Sequence, residues 1–212
     1  MRKYLVFLYL VIATPTHLLA EEVAAAAPLP DYPRIEVETN AGNFVLELFT
    51  SRAPLTVANF IQYVNSGFYE GTVFHRIVGG FVAQAGGYDV DYKLKATGPM
   101  VPNEAGNGLS NRRGFVAMAR TAEPHSADSQ FYINLADNLA LDPRPTRWGY
   151  TVFGRVIQGM EVIDEIGYRA TGPGPVPNLT KDVPAEPIVI TKMTLLPDEG
   201  EQSPSTDPVD DE

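Results

Sequence analysis

Short apolar runs dominate this chain. Beyond the first thirty positions they lie at 35–38, 44–48, 72–77, 81–85, 114–119, 131–135, 151–156 and 188–195. In the first, Ile35 and Val37 alternate with Glu36 and Glu38; in the second, Phe44, Leu46 and Leu48 share one face. Successive side chains of a strand point to opposite faces, so this spacing predicts half-buried β-strands. Asn40-Ala41-Gly42-Asn43, between these two runs, predicts a hairpin. Stretches rich in Gly, Pro, Asn and Asp separate the other runs, and the 212 residues include 18 glycines and 18 prolines. Many short strands with frequent turns suggest a closed barrel or a sandwich, and spacing alone leaves the two open.

Two stretches have helical spacing instead. Pro54 opens the first, where Val57, Phe60, Ile61 and Val64 fall at i, i+3, i+4 and i+7 before Gly67. In the second, at 159–166, Met160, Ile163 and Ile166 are three apart. The segment 171–187 is rich in Gly and Pro and reads as a loop before the last strand. No internal repeat is present.

The chain ends differ from this pattern. Arg2 and Lys3 precede an apolar run from Tyr4 to Ala13, and small residues follow at Ala20 and Ala24–Ala27. That run is too short to cross a hydrocarbon core of ~30 Å as a helix. It predicts a signal peptide over residues 1–20, export to the periplasm, and no stable membrane insertion after cleavage. Residues 21–32 read as an Ala/Pro-rich linker, 33–197 as one domain, and 198–212 as an acidic disordered tail. Of the formal charge of −10, seven acids and no bases lie in that tail, leaving −3 on residues 1–197. No basic stripe is left to grip a phosphate backbone, so nucleic acid is not an expected partner. There is no cysteine, which excludes disulfides and thiolate chemistry. His17, His75 and His125 form no ligand cluster, so no metal and no cofactor is expected.

Residues 74–87 read Phe-His-Arg-Ile-Val-Gly-Gly-Phe-Val-Ala-Gln-Ala-Gly-Gly. This block resembles the signature of the cyclophilin-type peptidyl-prolyl cis-trans isomerases. Three further blocks resemble the family's in order and spacing: Gly114–Ala119, Ser129–Asn134, and Leu141-Asp142 with Val152–Val156. The similarity covers about 33–197. The leader, Ala119-Arg120-Thr121 and the Asn-Glu-Ala-Gly-Asn-Gly loop at 103–108 look most like the bacterial periplasmic branch. The resemblance implies a mainly β fold, a closed eight-stranded antiparallel β-barrel capped by two α-helices. It implies isomerisation of X-Pro bonds in exported polypeptides, with proline-containing segments as the partners and a site on the barrel's outer face. With no long exposed apolar stripe, a monomer is expected.

The resemblance also implies roles for residues. Arg76 matches the arginine that donates to the prolyl nitrogen, and Gln84 the glutamine that holds the substrate backbone and orients that arginine. Phe81, Tyr132 and Leu141 match the walls of the proline pocket, with Val82 and Ala119 beside them and Gln130 along the groove. Rotation about an amide breaks no bond, so a general-base role for His75 is not needed. The Gly-rich 79–87 segment lacks the ending of a phosphate loop and reads as a turn.

Three positions depart from the family. Tyr132 replaces the usual phenylalanine and adds a hydroxyl at the pocket. Ala140 stands where many members carry the tryptophan that contacts cyclosporin, which predicts weak inhibition by that drug. Tyr150 stands in place of a histidine. Trp148, the single tryptophan, lies in the adjoining loop and could fold back toward the groove. The departures leave a second reading open, a non-catalytic module that binds proline segments or chaperones chains. A third, a structural envelope barrel, requires the four blocks to be accidental.

Overall fold

The computed structural model describes residues 29–197. The expected signal peptide, most of the expected linker and the acidic tail lie outside that range. The predicted hairpin is β1 (Arg34–Thr39) and β2 (Gly42–Leu48), paired in register from Arg34↔Glu47 to Thr39↔Gly42 around a two-residue turn, Asn40-Ala41. Ile35, Val37, Phe44, Leu46 and Leu48 are buried, as their alternation requires. Gly42 has φ +125°, and a Cβ there would meet Val162 Cγ2 at 2.9 Å, so glycine serves both the turn and the packing.

The first helix, α1 (Pro54–Asn65), has proline in its first turn and buries Val57, Phe60, Ile61 and Val64. Its N-cap residue is Ala53, whose side chain cannot accept a hydrogen bond. Glu104 replaces that cap from a distant loop: its carboxylate accepts from the Leu55 N–H at 3.1 Å, the Thr56 N–H at 2.9 Å and the Thr56 hydroxyl at 2.6 Å. An anion at a helix N-terminus satisfies unpaired N–H groups and meets the positive end of the dipole.

There follow β3 (Thr72–Val73), β4 (Arg76–Val78), β5 (Val82–Ala85), β6 (Phe115–Met118), β7 (Phe131–Asn134) and a 3₁₀ turn at Leu139–Leu141. The chain ends with β8 (Val152–Gln158), α2 (Met160–Gly167), β9 (Thr171–Gly172), β10 (Val183–Pro184) and β11 (Val189–Leu195). Nine strands form one sheet in the order β3-β11-β1-β2-β8-β6-β7-β5-β4, with every pair antiparallel. α1 packs on β11, and α2 on β2, β5 and β4. Phe60 stands at the centre of the main core, its ring 5.1 Å from Tyr69, 5.4 Å from Phe131 and 5.1 Å from Phe153.

The mainly β fold with two helices stands; the closed eight-stranded barrel does not. The sheet is curled and open, since no ladder joins its edges β3 and β4. The run at 72–77, expected as one strand, divides at Phe74-His75. The Phe74 N–H donates to Ile188 O at 2.9 Å, ahead of β11, whereas the His75 N–H donates to Gln84 O at 3.1 Å, on β5. One continuous chain thus serves both edges and cannot pair with itself. The 171–187 segment also departs from a plain loop, because β9 and β10 form a small separate sheet within it.

Candidate active site

β4 and β5 form a hairpin across Gly79-Gly80, with Gly80 at φ +69°. Their register sets Arg76 opposite Gln84, and the β5–β7 register sets Gln84 opposite Tyr132. Cross-strand partners share a face, so these three residues form one row over three strands. His75, one position from Arg76, points the other way and is buried.

The row opens on a cavity of about 290 Å³ outside the sheet. Arg76, Gln84 and Arg120 supply its polar lining; Phe81, Val82, Ala119, Tyr132, Leu141 and Tyr150 line the rest. Below them lies a second apolar cluster, with Val82, Ala117, Tyr132 and Val152 buried and Phe81, Leu141 and Tyr150 packed on top. This cluster is distinct from the main core, so the cavity has an apolar floor of its own.

Polar contacts order the row. Arg76 Nη1 donates to Gln84 Oε1 at 3.4 Å, and Gln84 Nε2 donates to Gln130 Oε1 at 3.0 Å. With its amide committed at both ends, Gln84 presents oxygen, not nitrogen, to the guanidinium. Gln130 therefore stands behind Gln84 and does not line the cavity. Ala140 also lies outside the lining, exposed on the 3₁₀ turn beside Leu141.

Tyr132 keeps its ring in the wall and sends its hydroxyl away. The O–H donates to Asn111 Oδ1 at 2.7 Å, and burial, with Tyr150 and Asp142 nearby, raises its pKa well above the usual tyrosine range. The hydroxyl expected at the pocket is thus absorbed into a buried network. Asn111 donates to Asp142 Oδ1 at 2.9 Å, and Asn134 to Phe115 O at 3.0 Å. Asn138 donates to Phe81 O and Asn134 Oδ1, both at 2.8 Å. These bonds tie the turn that carries Leu141, and the main chain at Phe81, to β6 and β7.

His75 is neutral at ordinary pH. Burial lowers its pKa to about 4, its Nδ1 has no partner, and its ring lies 4.6 Å from that of Tyr88. A neutral imidazole on the far face of β4 offers the cavity no base.

Two residues near the cavity carried no signal in the motif blocks. Arg120 lies over the Tyr150 ring at 4.5 Å and donates to the carbonyls of Gly149 at 3.1 Å and Trp148 at 2.8 Å, which fixes the loop ahead of β8. Asp182 places Oδ2 3.8 Å from Arg76 Nε. Trp148 does not fold into the groove; its ring stands against His125 at 5.0 Å and lines a neighbouring cavity with Pro143 and Arg147. Among the described residues, no group of His, Asp or Glu could hold a metal ion, and no helix is long and apolar enough to cross a membrane.

Comparison with known proteins identifies the family. Residues 34–195 match the family model described as cyclophilin type peptidyl-prolyl cis-trans isomerase/CLD. Peptidyl-prolyl cis-trans isomerase A of Dickeya dadantii is 48% identical over 186 residues, 87% of this chain and 95% of that protein. Peptidyl-prolyl cis-trans isomerase B of Escherichia coli is 44% identical over 164 residues, 76% of this chain and 98% of the relative. A crystal structure of a Cryptosporidium parvum cyclophilin type isomerase determined in the presence of the dipeptide Ala-Pro shares 25% identity, with TM-score 0.61 over 78% of this chain and 99% of that one. The chain belongs to the cyclophilin-type peptidyl-prolyl cis-trans isomerase family.

Proposed function

We propose that this chain accelerates X-Pro isomerisation in exported polypeptides, with Arg76 stabilising the twisted amide. The observation that carries the reading is the row Arg76–Gln84–Tyr132, which sets a fixed guanidinium beside an apolar cavity. Amide resonance raises a rotational barrier of ~18–20 kcal/mol, and uncatalysed isomerisation takes roughly 10–100 s. Shortening that to milliseconds is about 10⁴-fold, or roughly 5.4 kcal/mol. As the bond twists, the nitrogen lone pair localises and accepts a hydrogen bond better than the planar amide does. A donor held at that position favours the transition state over the ground state.

A charge-assisted hydrogen bond contributes roughly 1.5–3 kcal/mol, about a quarter to a half of the requirement. Desolvation of the amide among Phe81, Leu141 and Tyr132 supplies the remainder, since the planar amide is the more polar form. Gln84 holds the substrate backbone and Arg76 together. The basic start at Arg2-Lys3 and the apolar run at 4–13 support action in the periplasm, and the absence of an apolar stripe supports a monomer.

Isomerisation of an Ala-Pro tetrapeptide by wild type and Arg76→Ala tests the mechanism. Wild type is expected to accelerate the reaction strongly and Arg76→Ala to lose at least about tenfold, the loss expected for a bond of this strength. A folded wild type that matches the uncatalysed rate would instead make the groove a binding surface for proline segments.

A further inference from the structure

Asp182 grips β4 with both its main chain and its side chain. The Asp182 carbonyl accepts from the Ile77 N–H at 2.7 Å, while the carboxylate stands 3.8 Å from Nε of the adjacent Arg76. Its φ is +63°, and among the described residues Tyr92 is the one other non-glycine residue at positive φ. Left-handed backbone costs energy in any residue with a Cβ, and Asp and Asn tolerate it better than most. Glycine or asparagine would serve the turn equally well. What aspartate adds is a charge beside Arg76.

The guanidinium has three edges that matter. Gln84 accepts from Nη1, Asp182 faces Nε, and Nη2 has no partner among the described residues. We propose that Asp182 is a positioning residue for Arg76, its carboxylate and Gln84 holding two edges of the fork so that Nη2 is aimed at the prolyl nitrogen. The inference rests on the proposed role of Arg76 as the donor. A carboxylate also offsets part of the arginine's charge. Both side chains are partly exposed, at 37% and 26%, so solvent screens that loss. Fixing a long side chain in one rotamer needs only a modest bias, and at 3.8 Å the contact is an ion pair without a hydrogen bond.

The test is a double-mutant cycle on the full chain with the Ala-Pro tetrapeptide, measuring kcat, KM and Tm. Asp182→Asn, which keeps the backbone conformation, is expected to lower kcat about three- to fivefold, the upper part of the range of a partly exposed ion pair. KM and Tm are expected to stay unchanged. Asp182→Gly should lose the same factor in kcat, because it relaxes the backbone and also removes the charge. In the Arg76→Ala background, Asp182→Asn should cause no further loss. An equal loss in both backgrounds, or Asp182→Asn at wild-type kcat while Arg76→Ala loses tenfold, overturns the positioning role alone. An Arg76→Ala variant as active as wild type overturns the donor role, and the inference with it.

Discussion

Replacing Tyr132 by phenylalanine separates the two jobs of this side chain. The ring, which walls the cavity, is kept; the hydroxyl, which donates to Asn111 Oδ1 at 2.7 Å, is lost. Asn111 is fully buried, and its oxygen would retain only the Asn134 amide at 3.4 Å. A hydrogen bond of this kind contributes about 0.5–1.5 kcal/mol, and a buried acceptor left poorly paired costs about 1–3 kcal/mol. The phenylalanine ring escapes the desolvation cost of the hydroxyl, so the net loss should be about 1–2 kcal/mol. For a domain of this size that lowers Tm by about 2–8 °C. Calorimetry and the tetrapeptide assay should therefore show Tyr132→Phe less stable but with kcat/KM within a factor of about two, since no pocket contact changes. An unchanged Tm would mean that the network does not depend on the hydroxyl. A tenfold loss of kcat/KM at unchanged Tm would mean that the hydroxyl acts on substrate, refuting its assignment to Asn111.

Further outcomes follow from the same contacts. His75 has a folded pKa of about 4 against an ordinary 6.5, so the unfolded chain takes up a proton first as pH falls. Its contribution is complete above pH 6.5 and is lost between 6.5 and about 4, by roughly 3 kcal/mol. Urea midpoints over that window should fall more steeply for wild type than for His75→Gln, and parallel curves would contradict the burial argument. Ala140 is exposed on the turn next to Leu141, which lines the cavity, so Ala140→Trp adds a ring beside that wall without disturbing the core. Inhibition titrations should show weak cyclosporin sensitivity in wild type and at least about tenfold tighter inhibition in Ala140→Trp, the gain expected from burying one indole. Equal inhibition of both would remove Ala140 as the cause.

Much of this protein is legible in its sequence because strands and helices impose short periods. The alternation at 35–48 determines the β1–β2 hairpin, and the spacing of Val57, Phe60, Ile61 and Val64 determines α1. Arg76 and Gln84 stand eight residues apart around Gly79-Gly80, so a hairpin between them places both on one face. Tertiary structure decided what no local period encodes. It divided the 72–77 run at Phe74-His75 and left the sheet open, because two different strands claim the two halves. It moved the Tyr132 hydroxyl from the pocket to Asn111 and set Gln130 behind Gln84. It brought Glu104 to the start of α1 and Asp182 to Arg76. Each of those pairs is distant in sequence. The periodic residues report which face is buried, whereas a polar side chain's partner depends on which segments the packed core brings within a few ångströms.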